Sequence, residues 1–259
     1  KVLCQIDNVE PHEHHLTDKP FNRYYLHSVD GFVYMSEQVH SELRAYSDAP
    51  ALFSPHPLFE NFGERVERSE ACVRLGLDPA NRYVLFFGLI RDYKGLDLLL
   101  DAWAQLRRAG RTEGRRLIVA GEFYTAREPY LNRIADNGLQ DEVLLHDRFI
   151  PDDDVKYYFS AADFVVQPYK TATQSGVTQI AYQFCVPMVV TKVGGLAEIV
   201  PDGRVGYVCE PTPEGVAGAI ERMYEGDTLQ RFRENCVEER RRFSWEEMCS
   251  RITELYRLV

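Results

Sequence analysis

The chain has 259 residues, 45% hydrophobic and 27% charged, with a formal net charge of −10. That length exceeds one ordinary domain, falls short of two large ones, and suffices for a sizeable core. No uncharged apolar run reaches the roughly 18 residues of a transmembrane helix, and the acidic balance argues against broad nucleic-acid binding. There is no signal-peptide pattern, low-complexity tract or short repeat. The six cysteines form no CxxC pair, which fits reduced thiols in a cytoplasmic protein. The first residue is Lys1, and it opens directly into an apolar strand. This suggests the C-terminal part of a longer polypeptide.

Val2–Ile6 reads as a short strand, residues 8–20 as a polar loop, and Phe21–His27 as a helix. The HEHH run at His12–His15 offers metal-ligand chemistry, but adjacent residues point in different directions and a solvated loop explains it better. Gly31–Met35 is a second strand, and Ser36 caps a helix over residues 37–45 with Val39 and Leu43 on one face. Ala51–Phe53 is a third strand. Residues 54–67, with Pro55, Pro57, Asn61 and Gly63, read as a linker. His56 within it reads as a structural hydrogen-bond partner rather than a cleft residue. A helix at Arg68–Leu75 stops at Gly76, and strand–helix alternation then restarts. Strands are expected at Tyr83–Phe87, Leu117–Ala120, Val143–His146, Phe164–Gln167, Pro187–Thr191 and Tyr207–Cys209. Helices are expected over residues 96–106, 130–137, 152–161, 175–184, 196–200 and 214–224. The tail from Leu229 is helical, breaks near Phe243-Ser244, and ends in a helix at Trp245–Leu258. This is one complete doubly wound α/β domain, preceded by a piece of another. The isolated piece would leave unpaired strand edges, a second reason to expect further sequence upstream.

Ligands of open α/β sheets bind beyond the carboxyl ends of the strands. Three loops there stand out. In residues 88–95, Gly88 permits close backbone approach, and Arg91 and Lys94 place two cations near a helix start, which suits a phosphate. The plainer reading is a turn with two solvated charges. The second loop, 169–176, ends at Ser175-Gly176, where free helix N–H groups could donate to phosphate oxygens. Ser175 could equally cap only its own helix. The third loop carries Gly194-Gly195 and Glu198, which could wrap a polar ligand; Glu198 could also simply face the helix dipole. There is no GxGxxG, GxxxxGK[ST] or GxSxG pattern, so dinucleotide, P-loop and α/β-hydrolase readings are weak.

The blocks VLFFGLIRDYKGLDLLLDAW, RLIVAGE, LLHDRFIPDDDVKYYFSAADFVVQPY and VPMVVTKVGGLAEIVPDGRVGYVCEP resemble, in order and spacing, the C-terminal domain of the family 4 (group 1) glycosyltransferases. The segments NVEPHE and YMSEQV resemble the end of that family's N-terminal domain, and the last helix resembles the one that packs back across it. The resemblance implies a GT-B fold: a partial N-terminal Rossmann-like domain and linker at 1–66, a Rossmann-like nucleotide-sugar domain at 67–242, and a returning helix at 243–259. It implies retaining transfer from a nucleotide-diphosphate sugar to a glycan or lipid-linked acceptor, with no further cofactor, metal or nucleic-acid partner. Any peripheral membrane contact would fall in the missing N-terminal part.

Lys94 matches the family's phosphate-binding lysine, and the resemblance gives Lys94 and Arg91 the catalytic roles. Leu89 stands where the family has an arginine, so Arg91 becomes its substitute. Gly88, Ser175, Gly176, Gly194, Gly195 and Glu198 fall at donor-binding positions, and Phe149-Ile150 where the family holds the base by backbone contacts. The family's two glutamates fall at Ala172 and Ile180, and its N-terminal histidine at Asp7, with His12 nearby. These departures keep two other readings open: a nucleotide-sugar-binding or partner subunit with impaired catalysis, and another GT-B reaction such as sugar-nucleotide epimerisation.

Overall fold

The protein is described by a computed structural model over residues 1–9 and 18–259. Its strands form two sheets, both entirely parallel. The smaller contains β1 (Leu3–Ile6), β2 (Gly31–Tyr34) and β3 (Ala51–Phe53), in sequential order. Between them lie α1 (Asp18–His27) and α2 (Glu37–Leu43). The expected loop over residues 8–20 is corrected at its end, because α1 already starts at Asp18. Pro20 reads as a breaker, yet it sits in the first turn, where the backbone N–H has no helical partner to lose. The HEHH run and His12 lie outside the described residues.

Ser36 is the N-cap of α2 and accepts from the Val39 amide; Val39 and Leu43 are fully buried. The linker is not free of the body that follows. Leu58 is buried with Phe59 and Phe62 against the larger core, Glu60–Phe62 forms a 3-10 turn, and the Val66 amide donates to Ser160 Oγ at 3.1 Å.

The larger sheet comprises β4 (Arg82–Phe87), β5 (Arg115–Ala120), β6 (Val143–His146), β7 (Phe164–Gln167), β8 (Met188–Thr191) and β9 (Gly206–Cys209). Its order is β6-β5-β4-β7-β8-β9, so the strand order reverses between β4 and β7. Side chains alternate across it. Leu85 and Ile118 pack with α3 (Arg68–Leu75), α6 (Asp152–Ala161) and α7 (Gly176–Gln183). Val84, Phe86, Leu117 and Val119 pack on the opposite face with α4 (Leu96–Arg108) and α9 (Pro213–Met223). Both faces are therefore covered, which is why these strands read as continuous apolar runs. The remaining helices are α5 (Glu128–Asp136), α8 (Leu196–Ile199), α10 (Thr228–Glu239) and α11 (Trp245–Leu258).

The break at Phe243-Ser244 is real. A 3-10 turn over Arg240–Phe243 ends there, and Ser244 Oγ accepts from the Glu247 amide to start α11. Met248 and Leu255 of α11 then pack against Val33 and Met35 beneath the smaller sheet. Among the described residues, no helix is long and apolar enough to cross a membrane.

Candidate functional site

The strand-order reversal opens a crevice beyond the ends of β4 and β7. The backbone is tight there. Gly95 has φ +69°, and a Cβ on it would lie 1.9 Å from the Pro168 carbonyl oxygen. The Lys170 amide donates to the Tyr93 carbonyl at 2.7 Å, so the loops after β4 and β7 are tied together.

Three of the expected site elements converge in this crevice. A Cβ on Gly88 would lie 3.1 Å from Lys94 Nζ and 3.6 Å from Val177 Cγ2, in the first turn of α7. Lys94 is half-buried, and among the described residues its ammonium has no carboxylate or hydrogen-bond acceptor. The Tyr169 ring lies 5.8 Å from Nζ. Burial, reinforced by the charge of Arg91, lowers the Lys94 pKa to about 8. A desolvated cation without a counter-ion beside a helix start favours an anionic ligand.

The α7 N-terminus is held by a polar network. Ser175 Oγ accepts from the Val177 amide at 3.2 Å and donates to Gln167 Oε1 at 2.6 Å. The Tyr169 hydroxyl lies 3.1 Å from Ser175 Oγ. Ser175 therefore does cap its own helix, and the exposed Gly176 follows it. Tyr169 is buried, and burial raises its pKa, so its hydroxyl stays neutral. Sequence reasoning overlooked it; an aromatic directly after Gln167-Pro168 at a strand end was the available signal.

The other expected residues are distributed differently. The Arg91 guanidinium lies 5.2 Å over the Tyr124 ring, and its charge is felt at Lys94. Gly88, Leu89, Phe149 and Ile150 line one cavity of about 180 Å³, together with Glu122 and Asp152. Gly194 has φ +48°, and a Cβ on it would meet the Ala172 carbonyl oxygen at 1.4 Å. The Gly195 amide donates to the Thr173 carbonyl at 3.2 Å. Glu198 Oε2 accepts from the Glu37 amide at 3.2 Å, so this carboxylate supports the start of α2. Ala172 and Ile180, at the positions of the family's glutamates, are buried in the apolar core. His56 is structural, as expected: Nδ1 lies 2.7 Å from the Pro57 carbonyl, and its ring packs 4.7 Å from Phe59.

Polar contacts also join the two sheets' loops. Thr173 Oγ1 donates to Asn8 Oδ1 at 2.6 Å, and Gln174 Nε2 to the Asp7 carbonyl at 3.5 Å.

Two parallel sheets, the larger with helices on both faces and a crevice at its reversal, have the GT-B arrangement. The family model for glycosyl transferases group 1 matches residues 81–226, and the chain belongs to that family. A D-inositol 3-phosphate glycosyltransferase from Catenulispora acidiphila is 31% identical over 245 residues, covering 88% of this chain and 56% of the relative. A namesake from Pseudarthrobacter chlorophenolicus is 31% identical over 144 residues, covering 55% of this chain and 34% of the relative. The chain thus spans about half, or less, of the curated relatives it matches. Sucrose-phosphate synthase from Thermosynechococcus elongatus shares the fold with a TM-score of 0.82 at 21% identity, covering 99% of this chain and 67% of that one. HepE from Anabaena, solved in complex with UDP-glucose, gives 0.78 at 17%, covering 99% and 72%.

Proposed function

We propose that this chain carries the donor-binding machinery of a retaining glycosyltransferase, which moves a sugar from a nucleotide-diphosphate sugar to a glycan or lipid-linked acceptor. Residues 67–242 bind the donor, and residues 1–66 with the returning helix form part of the acceptor side. The observation that carries this reading is Lys94: a half-buried ammonium with no acid partner among the described residues, facing Gly88 and the first turn of α7. It supports a diphosphate held by Lys94 and by the helix start at Ser175-Gly176, with the Arg91 charge nearby. As the glycosidic bond to the diphosphate breaks, negative charge grows on the leaving oxygen and positive charge on the sugar. A fixed ammonium and helix amides stabilise that charge without reorganisation. The test is calorimetry of the protein against UDP- and GDP-sugars. Binding is expected with at least one and lost in Lys94→Ala; unchanged binding in that variant refutes the reading.

A second reading is favoured by Ala172 and Ile180, which bury apolar side chains where the family has acids. On it, the chain binds the donor but is impaired in transfer. A radiolabelled transfer assay separates the two: product formation that depends on Lys94 eliminates the second.

A further inference from the structure

The cavity beside the crevice has an unusual lining. Phe62, Phe87 and Val155 form apolar walls, and Phe149 stands at the rim with 65% of its surface exposed. Among the described residues, the polar side chains lining it are those of Glu122 and Asp152, and no basic side chain does. Neither carboxylate has a hydrogen-bond or ion-pair partner among the described residues. The cavity opens between Gly88 and Gly121, at the ends of β4 and β5, so it lies next to the strand end that faces Lys94.

The inference rests on the donor reading above and names the donor's base. A cavity of about 180 Å³ with aromatic walls, next to the proposed diphosphate grip, suits a nucleobase. Ionised carboxylates only accept hydrogen bonds, so the base edge that meets them must donate. Uracil presents a single N–H flanked by two carbonyl oxygens, and both oxygens would face the negative charge. Adenine and cytosine each offer one amino group beside an acceptor nitrogen. Guanine offers two adjacent donors, N1–H and the 2-amino group, spaced for the two oxygens of one carboxylate. We propose that Glu122 and Asp152 make this cavity selective for guanine, one carboxylate taking the paired donors and Phe149 stacking on the ring. Selection works in both directions: guanine gains charge-assisted hydrogen bonds, and uracil meets like-signed oxygens.

The test is calorimetric titration of the protein with GDP, IDP, UDP and ADP. GDP is expected to bind at least about tenfold tighter than UDP, with IDP, which lacks the 2-amino group, in between. Glu122→Gln or Asp152→Asn should erase the preference of GDP over UDP. Both side chains are unpartnered among the described residues and at least partly exposed, so both variants should keep the wild-type thermal midpoint. UDP binding as tightly as GDP overturns the proposal, and so does a GDP preference that survives in both variants. Ribose is common to all four nucleotides. A carboxylate that held only ribose hydroxyls would weaken GDP and UDP alike, and that result also overturns it. UDP binding that is lost in Lys94→Ala, without any preference for GDP, sinks this inference and leaves the donor reading standing. No binding of any nucleotide sinks both.

Discussion

Lys94 creates a pH window whose sign differs for stability and for binding. Its folded-state pKa near 8 lies below the ordinary value of 10.5, because burial disfavours the ammonium. The folded chain therefore releases this proton first, and this group's contribution to stability improves as pH rises from about 8 to about 10.5. The proposed diphosphate binding runs the other way, since the ammonium is the form that would attract it. Affinity is expected to fall as pH rises through 8, and binding at about pH 8.5 should take up a proton. Titrations in two buffers of unlike ionisation heat measure that uptake, which should vanish in Lys94→Met. Equal apparent heats in the wild type would contradict this role. At this scale the sequence was only partly readable. The pairing of Arg91 and Lys94 in one loop was visible, but the direction of each side chain was not. Arg91 lies over the ring of Tyr124, a residue more than thirty positions away. Tyr169 and the acids Glu122 and Asp152 gain their meaning from neighbours that only folding supplies.

The elements were more legible because burial writes itself into spacing. Leu96, Leu99, Leu100, Trp103 and Leu106 repeat with the helical period, and all five are buried on α4. Glycine punctuation was equally clear: Gly76 ends α3 in the left-handed conformation. What escaped were features set by tertiary contact, such as the 3-10 turn at Glu60–Phe62 and the start of α1 ahead of Pro20. The crossing of the loops after β4 and β7 rests on one glycine, and this can be tested. Gly95→Ala places a methyl against the Pro168 carbonyl in a left-handed backbone, and about 2–3 kcal/mol of stability should be lost. Gly76→Ala is the control: its backbone is also left-handed, but nothing lies within 4 Å of the new methyl. It should cost about 1 kcal/mol. Urea midpoints read both, and equal losses would show that the close approach at Gly95 carries no strain.

For the whole molecule, the last helix is the element that ties the ends of the chain together. Leu255 is fully buried, and its Cδ1 lies 2.9 Å from where a Cβ on Gly31 would be. The core beneath the smaller sheet thus depends on residues more than two hundred positions downstream. Leu255→Ala is expected to cost about 2–5 kcal/mol by leaving a cavity there. Chemical denaturation measures it, and a loss below about 0.5 kcal/mol would mean that α11 is only loosely apposed.

Thr173 and Gln174 reach across to Asn8 and Asp7, and Glu198 reaches across to the first amide of α2. Residues that follow β7 and β8 therefore share hydrogen bonds with residues that follow β1 and β2. Any occupant that rearranges one side of these links alters the free energy available to an occupant on the other, and by the same factor in both directions. Removing the three side-chain contacts should weaken that coupling, so that occupancy on one side is felt less on the other.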